Sequence, residues 1–223
     1  METLESSRAG APPRPATGWW VETWSSVLRA GVVAVVGAVL IGGLTSVAQQ
    51  YLPSWVNSLS NSAGGWTMFS FLIVWLGRAR PLLAGVLGIV VFQLLVESYS
   101  VVSEWRGFDD GDPLSSVWTV VGLVAGPLLG VAAGLVRHGS PRWRALAVTP
   151  LAAVLLGEGV WALSTIVDST SPVYWALEVL LSAGFIAAAL VRTRATWPLR
   201  LLVVGVWLAG TVAFLLVWIV VLG

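Results

Sequence analysis

VLRAGVVAVVGAVLIGGLTSVA, Val27–Ala48, is 22 residues long and carries a single charge, Arg29, near its amino-terminal end. A helix of that length rises about 33 Å, enough to cross a hydrocarbon core of about 30 Å. It predicts a first transmembrane span. Five similar stretches follow at about 81–103, 114–136, 142–166, 173–191 and 199–222. Between the first and these five lies a shorter apolar run, Trp66–Gly77, too short to cross alone. It is expected to recruit residues from Val56 onward, placing Asn57, Ser58, Asn61 and Ser62 on protein-facing or wet surface at membrane depth.

The composition agrees. Hydrophobic residues make up 57% of the 223 and charged residues 10%, where a soluble domain carries about 25% charged. The reading is an all-α, polytopic membrane helical bundle of about seven transmembrane helices. Residues 1–25 form a cytoplasmic arm with an interfacial segment at Trp19, Trp20 and Trp24. Residues 26–223 form the seven-span domain. Ser46-Val47-Ala48 resembles a signal-peptidase site, but the long arm before it and the span-length run favour an uncleaved helix.

The arginines orient the bundle. Arg8, Arg14 and Arg29, then Arg78 and Arg80, then Arg137, Arg142 and Arg144, then Arg192, Arg194 and Arg200 fall on alternate connectors or on the arm. Only Arg106 falls on the other side. Short arginine-bearing loops stay cytoplasmic, which predicts a cytoplasmic amino terminus, an external carboxyl terminus and residence in a bacterial inner membrane.

Several chemistries are excluded. There is no cysteine and one histidine, His138, which leaves no thiolate, no histidine cluster and no disulfide. No metal or cofactor is expected, nor an enzymatic activity, since no nucleophile and base can be paired. A net charge of +1 gives no reason to expect nucleic acid. The partners expected are the lipid bilayer, a small cationic solute, and a partner membrane subunit or second copy. Asp109-Asp110-Gly111-Asp112 lacks the alternating ligands of a calcium loop and reads as a turn, while His138 reads as a loop residue.

Prolines punctuate the pattern. Pro81, Pro113, Pro141, Pro172 and Pro198 are expected at helix starts, where the missing N–H costs nothing, with Asp112 and Ser171 as N-caps. Pro127 and Pro150, inside spans, predict kinks. Small residues at four-residue spacing mark two packing faces: Ala30, Ala34, Ala38 and Gly42 on the first span, and Gly122, Gly126, Gly130 and Gly134 on the fourth. Such faces let membrane helices approach closely, either within the bundle or against a partner. The last span, polar only at Thr211, reads as a lipid-facing helix.

Acids within spans carry the functional signal, because an ionised group in the bilayer is costly. At 1.5 Å per residue, Glu97 lies about 24 Å along its span, Glu158 about 24 Å along its own, and Glu178 about 8 Å from the outer end of its own. All three fall in the outer third. Gln93, Glu97, Ser100 and Glu104 form one helical stripe, Glu158 shares a face with Trp161, and Glu178 with Tyr174 and Trp175. These faces are expected to converge on an outward-opening acidic and aromatic cavity. Gln93, Glu97, Tyr99, Glu158, Trp161, Tyr174, Trp175 and Glu178 would bind a small cationic solute there through charge and cation–π attraction. The competing expectation is a non-catalytic scaffold using the small-residue faces.

Asn61-Ser62-Ala63, Trp66, Phe71, Gly77, Trp118, Gly126-Pro127, Gly130 and Gly157-Glu158 resemble an uncharacterised family of actinobacterial multi-pass membrane proteins, domain of unknown function 6518. The resemblance covers about residues 30–165. Where that pattern has Gly-Tyr-Tyr, this chain has Glu97-Ser98-Tyr99. It implies a topology and no substrate. The alanine-spaced first span is also similar in kind to the substrate-binding subunits of energy-coupling-factor transporters, which use such a face to dock a transport subunit and usually have six spans.

Overall fold

The computed structural model describes residues 22–109 and 112–222. The expectations for the arm, for Trp19 and Trp20, and for Asp110-Gly111 lie outside the described residues. Described residues form helices α1 (Trp24–Tyr51), α2 (Ala63–Gly77), α3 (Pro81–Trp105), α4 (Val117–His138), α5 (Pro141–Leu146), α6 (Thr149–Thr165), α7 (Pro172–Arg192) and α8 (Trp197–Val217). A 3-10 segment, Asn57–Asn61, precedes α2, and a π-helical segment, Trp218–Leu222, extends α8. Six units are long and apolar enough to cross a membrane, with α5 and α6 counted as one, and α2 is a shorter apolar helix. The fold is a helical membrane bundle.

Local chemistry sets most boundaries. Thr23 and Ser26 close a reciprocal capping box at the start of α1, so Trp24 is its first residue. Glu22 then reaches across to accept from the Arg80 N–H at 2.6 Å, at the start of α3. Ser171 caps α7, accepting from the Val173 N–H, and Pro172 follows at the position where proline suits a helix.

Three expectations fail locally. Helix α4 does not open at Pro113 under an Asp112 cap. Leu114 sits at φ 59°, outside the helical region, so the helix starts later and Ser116 caps it. Pro150 does not kink a long helix. It ends one, because its ring would collide with the carbonyl four residues back, and that carbonyl, on Leu146, accepts from the Thr149 hydroxyl at 2.7 Å instead. His138 is the last residue of α4 rather than loop, and its ring nitrogen lies 3.1 Å from the Arg78 carbonyl.

Packing divides the bundle. On one side α1, α3 and α4 form a layer, with α3 between the other two; on the other side α6 packs against α7 and α8. The short helix α2 touches α1, α3, α4 and α6 and so joins the halves. The glycine face of α4 lies on α3. A Cβ added at Gly126 would stand 2.8 Å from the Gly88 carbonyl oxygen, and one at Gly134 2.8 Å from Pro81 Cα. Ala30, Ala34 and Ala38 are buried, with Ala30 against Gly77 of α2 and Gly42 against the Leu95 backbone of α3. Both small-residue faces are therefore covered by the chain's own helices, which leaves neither of them open as a docking face. By contrast, α8 buries only Val203 and Thr211.

Successive helices alternate in direction, with α5 and α6 counted as one, so the start of α1 and the end of α8 lie at opposite ends. Arg78, Arg80, Arg137, Arg142, Arg144, Arg192, Arg194 and Arg200 gather at one end. There the Arg137 guanidinium lies 4.3 Å from the Trp75 ring centroid. Tyr51, Trp105, Arg106, Thr165 and Trp218 mark the arginine-poor end.

Candidate functional site

At 15 residues, α2 is about 22 Å long and falls short of a full crossing. Its amino terminus therefore begins inside the bundle. The expected recruitment of upstream residues takes the form of the separate 3-10 segment, not of a longer helix. Ser62, in extended conformation, separates the two.

A buried helix start exposes backbone N–H groups that need acceptors. Here side chains supply them. Glu158 of α6 accepts from the N–H of Ala63 at 2.9 Å and from that of Gly64. Ser62 accepts from Gly65 at 2.8 Å. A carboxylate at this position also meets the positive end of the helix dipole. Glu158 is 2% exposed.

Glu178 of α7 arrives at the same place and is fully buried. Its Oε1 accepts from the Tyr174 hydroxyl at 2.7 Å, and that hydroxyl lies 2.6 Å from Ser62 Oγ. Its Oε2 is buried with no hydrogen-bond partner. Gly64 passes between the two acids' helices, and a Cβ there would overlap Glu178 Oε1 and stand 2.9 Å from its carboxyl carbon. Helices α6 and α7 approach closely because Gly159 lies against the Trp175 carbonyl, where a Cβ would be at 3.0 Å. Trp175 packs edge-on to Tyr174 at 4.8 Å and donates to Thr170 Oγ1 at 2.8 Å. Leu59 of the 3-10 segment packs against the cluster of Ala162, Tyr174 and Trp175.

Five of the eight expected site residues thus come together: Glu158, Tyr174, Trp175 and Glu178, with half-buried Trp161 packed against the Tyr174–Trp175 cluster. The others do not. Gln93 donates to the Thr119 carbonyl at 2.9 Å, and Glu97 accepts from the Leu114 N–H at 3.1 Å, so both tie α3 to α4 or to the connector ahead of it. The reason is the position of α3 between α1 and α4, away from α6 and α7. On its other side, the Trp161 ring lies 5.4 Å from that of Trp218. Tyr99 accepts from Gln49 Nε2 at 2.8 Å. A row of rings, Tyr99, Trp66, Trp118, Trp218 and Trp161, spans the two halves at centroid distances of 5.4–6.4 Å.

The expected single cavity walled by three acids is likewise replaced. A cavity of about 440 Å³ opens at the arginine-poor end, lined by Gln49, Gln50, Tyr99, Ser103, Arg106 and Phe108, and no acid lines it. Ser62, Gly64 and the free amides of α2 were not among the expected site residues. Their signal was present in Ser62-Ala63-Gly64-Gly65, an N-cap residue followed by small residues ahead of an apolar run.

Chemically, two buried carboxylates meet at one helix end whose dipole supplies about half a positive charge. Charge left over there is met by a proton held between the carboxyls or by a bound cation. Among the described residues no group of three or more His, Cys, Asp or Glu gathers to hold a metal, and a divalent ion wants six or more oxygen ligands.

Comparison with known proteins finds no curated protein and no solved structure that matches the chain. A protein-family model matches residues 21–222, and its description is a family of unknown function (DUF6518).

Proposed function

Because the chain belongs to that family of unknown function, which lends it no activity, we propose from its own site that it binds a small monovalent cation within the membrane and carries it across. Glu158 and Glu178 are the ligating acids. Tyr174 and Ser62 orient Glu178. The observation that carries this reading is Glu178 Oε2, buried and without a hydrogen-bond partner beside a second buried carboxylate. An oxygen left so is costly, and a bound cation would supply its partner. The reading involves no reaction. The arginine-rich end is cytoplasmic, and the membrane is that of a bacterial cell, the actinobacterial origin being part of the same proposal.

The test is thermal unfolding of the full chain in nanodiscs, at constant ionic strength, in lithium, sodium, potassium and methylammonium chloride against choline chloride. A cation present at about 100 times its dissociation constant adds about 2.7 kcal/mol. Wild type is expected to gain stability with at least one of these cations, and Glu178→Gln to gain none. If no cation stabilises wild type, and Glu178→Gln is as stable as wild type in choline, the pair serves only to tie α2 to α6 and α7.

A further inference from the structure

The cavity at the arginine-poor end is chemically unlike the acid pair. Its walls are two primary amides (Gln49, Gln50), a phenol (Tyr99), a hydroxyl (Ser103), a guanidinium (Arg106) and a ring (Phe108). Arg106 is the one charged residue among them, and it is held in place. Its Nη1 donates to the Ser46 carbonyl and to Ser46 Oγ, its Nη2 donates to Gln50 Oε1 at 2.8 Å, and its Cζ lies 5.2 Å from the Phe108 ring centroid. Ser46 is itself fixed by Ser103, Oγ to Oγ, at 2.8 Å. Gln49 and Tyr99 form the opposite polar edge through their 2.8 Å bond. Gln50 and Phe108 are exposed, so the cavity opens to the surface. A volume of about 440 Å³ lies within the ordinary range for small-molecule sites, roughly 300–1,000 Å³.

We infer that this cavity binds a small organic carboxylate. The carboxylate group faces Arg106, whose planar, permanently charged head suits carboxylate geometry, and the amides and phenol take the solute's remaining polar groups. A cationic solute would meet a like charge, and a neutral one would make no use of the guanidinium's charge. This site is separate from the acid pair and does not depend on it.

The experiment uses the full chain in nanodiscs at fixed ionic strength, with acetate, succinate and L-glutamate as probes and glucose and methylammonium as neutral and cationic controls, read by calorimetric titration. Wild type is expected to bind at least one carboxylate. Arg106→Gln should weaken that binding roughly tenfold or more, the scale of a lost charge-assisted hydrogen bond. Tyr99→Phe, which keeps Arg106 and its anchors, should weaken it a few-fold. Glu178→Gln should bind the carboxylate as wild type does, even where its response to cations is gone. The inference is overturned if none of the three carboxylates binds wild type, if Arg106→Gln and Tyr99→Phe both bind as tightly as wild type, or if glucose or methylammonium binds in place of the carboxylates.

Discussion

Gly88→Ala is expected to lower the unfolding free energy by about 1–3 kcal/mol, the range for overpacking a close-packed site, out of a typical total of about 5–15. The added Cβ would overlap the Gly126 carbonyl oxygen and stand 3.0 Å from Gly130 Cα. Both obstacles are backbone, so no side chain can rotate away and α3 must move off α4. Gly130→Ala meets the Ala84 carbonyl in the same way and should cost a similar amount. Gly31, Gly184 and Gly205 have nothing within 4 Å of a new Cβ, so alanine there should be neutral or slightly stabilising through helix propensity. Thermal midpoints measured for all five variants in one detergent test the contrast. Equal losses at both sets would mean that α3 and α4 are not packed glycine to glycine.

Glu158→Ala is expected to cost more, about 2–6 kcal/mol. It leaves the N–H groups of Ala63 and Gly64 buried without acceptors, at about 1–3 kcal/mol for each. Glu158→Gln keeps one carbonyl oxygen in place and should cost less. Amide hydrogen exchange gives a local readout. Residues 63–66 should lose protection in Glu158→Ala while α8 keeps its own. Unchanged exchange at 63–66 would show that Glu158 is not the cap of α2.

The bundle was legible because its signal is a strong one. Long apolar runs with arginine at alternate connectors allow few alternatives, and the match between Pro172 with its Ser171 cap and the observed start of α7 is local chemistry read correctly. The misjudged boundaries have local causes too. Leu114 in the left-handed region delays α4, and nothing in its side chain announces that. Pro150 predicts a kink, and at that place the Leu146 carbonyl accepts from the Thr149 hydroxyl while the helix stops at Leu146 and restarts at Thr149.

The site was half legible. Glu158 and Glu178 stood out as acids in apolar helices, and α6 and α7 are antiparallel neighbours in sequence, so their meeting required only adjacency. Depth alone then misled. Glu97 lies at a comparable level but on a helix enclosed by α1 and α4, and helical spacing does not reveal which neighbour a face will meet. What could not be read from spacing was that α2 would start within the bundle. Its amides, rather than a solute, then became the first partner of Glu158.

The most direct test of the cation site is infrared difference spectroscopy of the full chain in nanodiscs as choline is exchanged for lithium, sodium or potassium. The carboxylate stretching bands are predicted to shift on exchange with at least one of these ions in wild type, and that shift is predicted to vanish in Glu178→Gln. A wild-type spectrum that does not change with any of them, or a shift that persists in Glu178→Gln, would contradict the site.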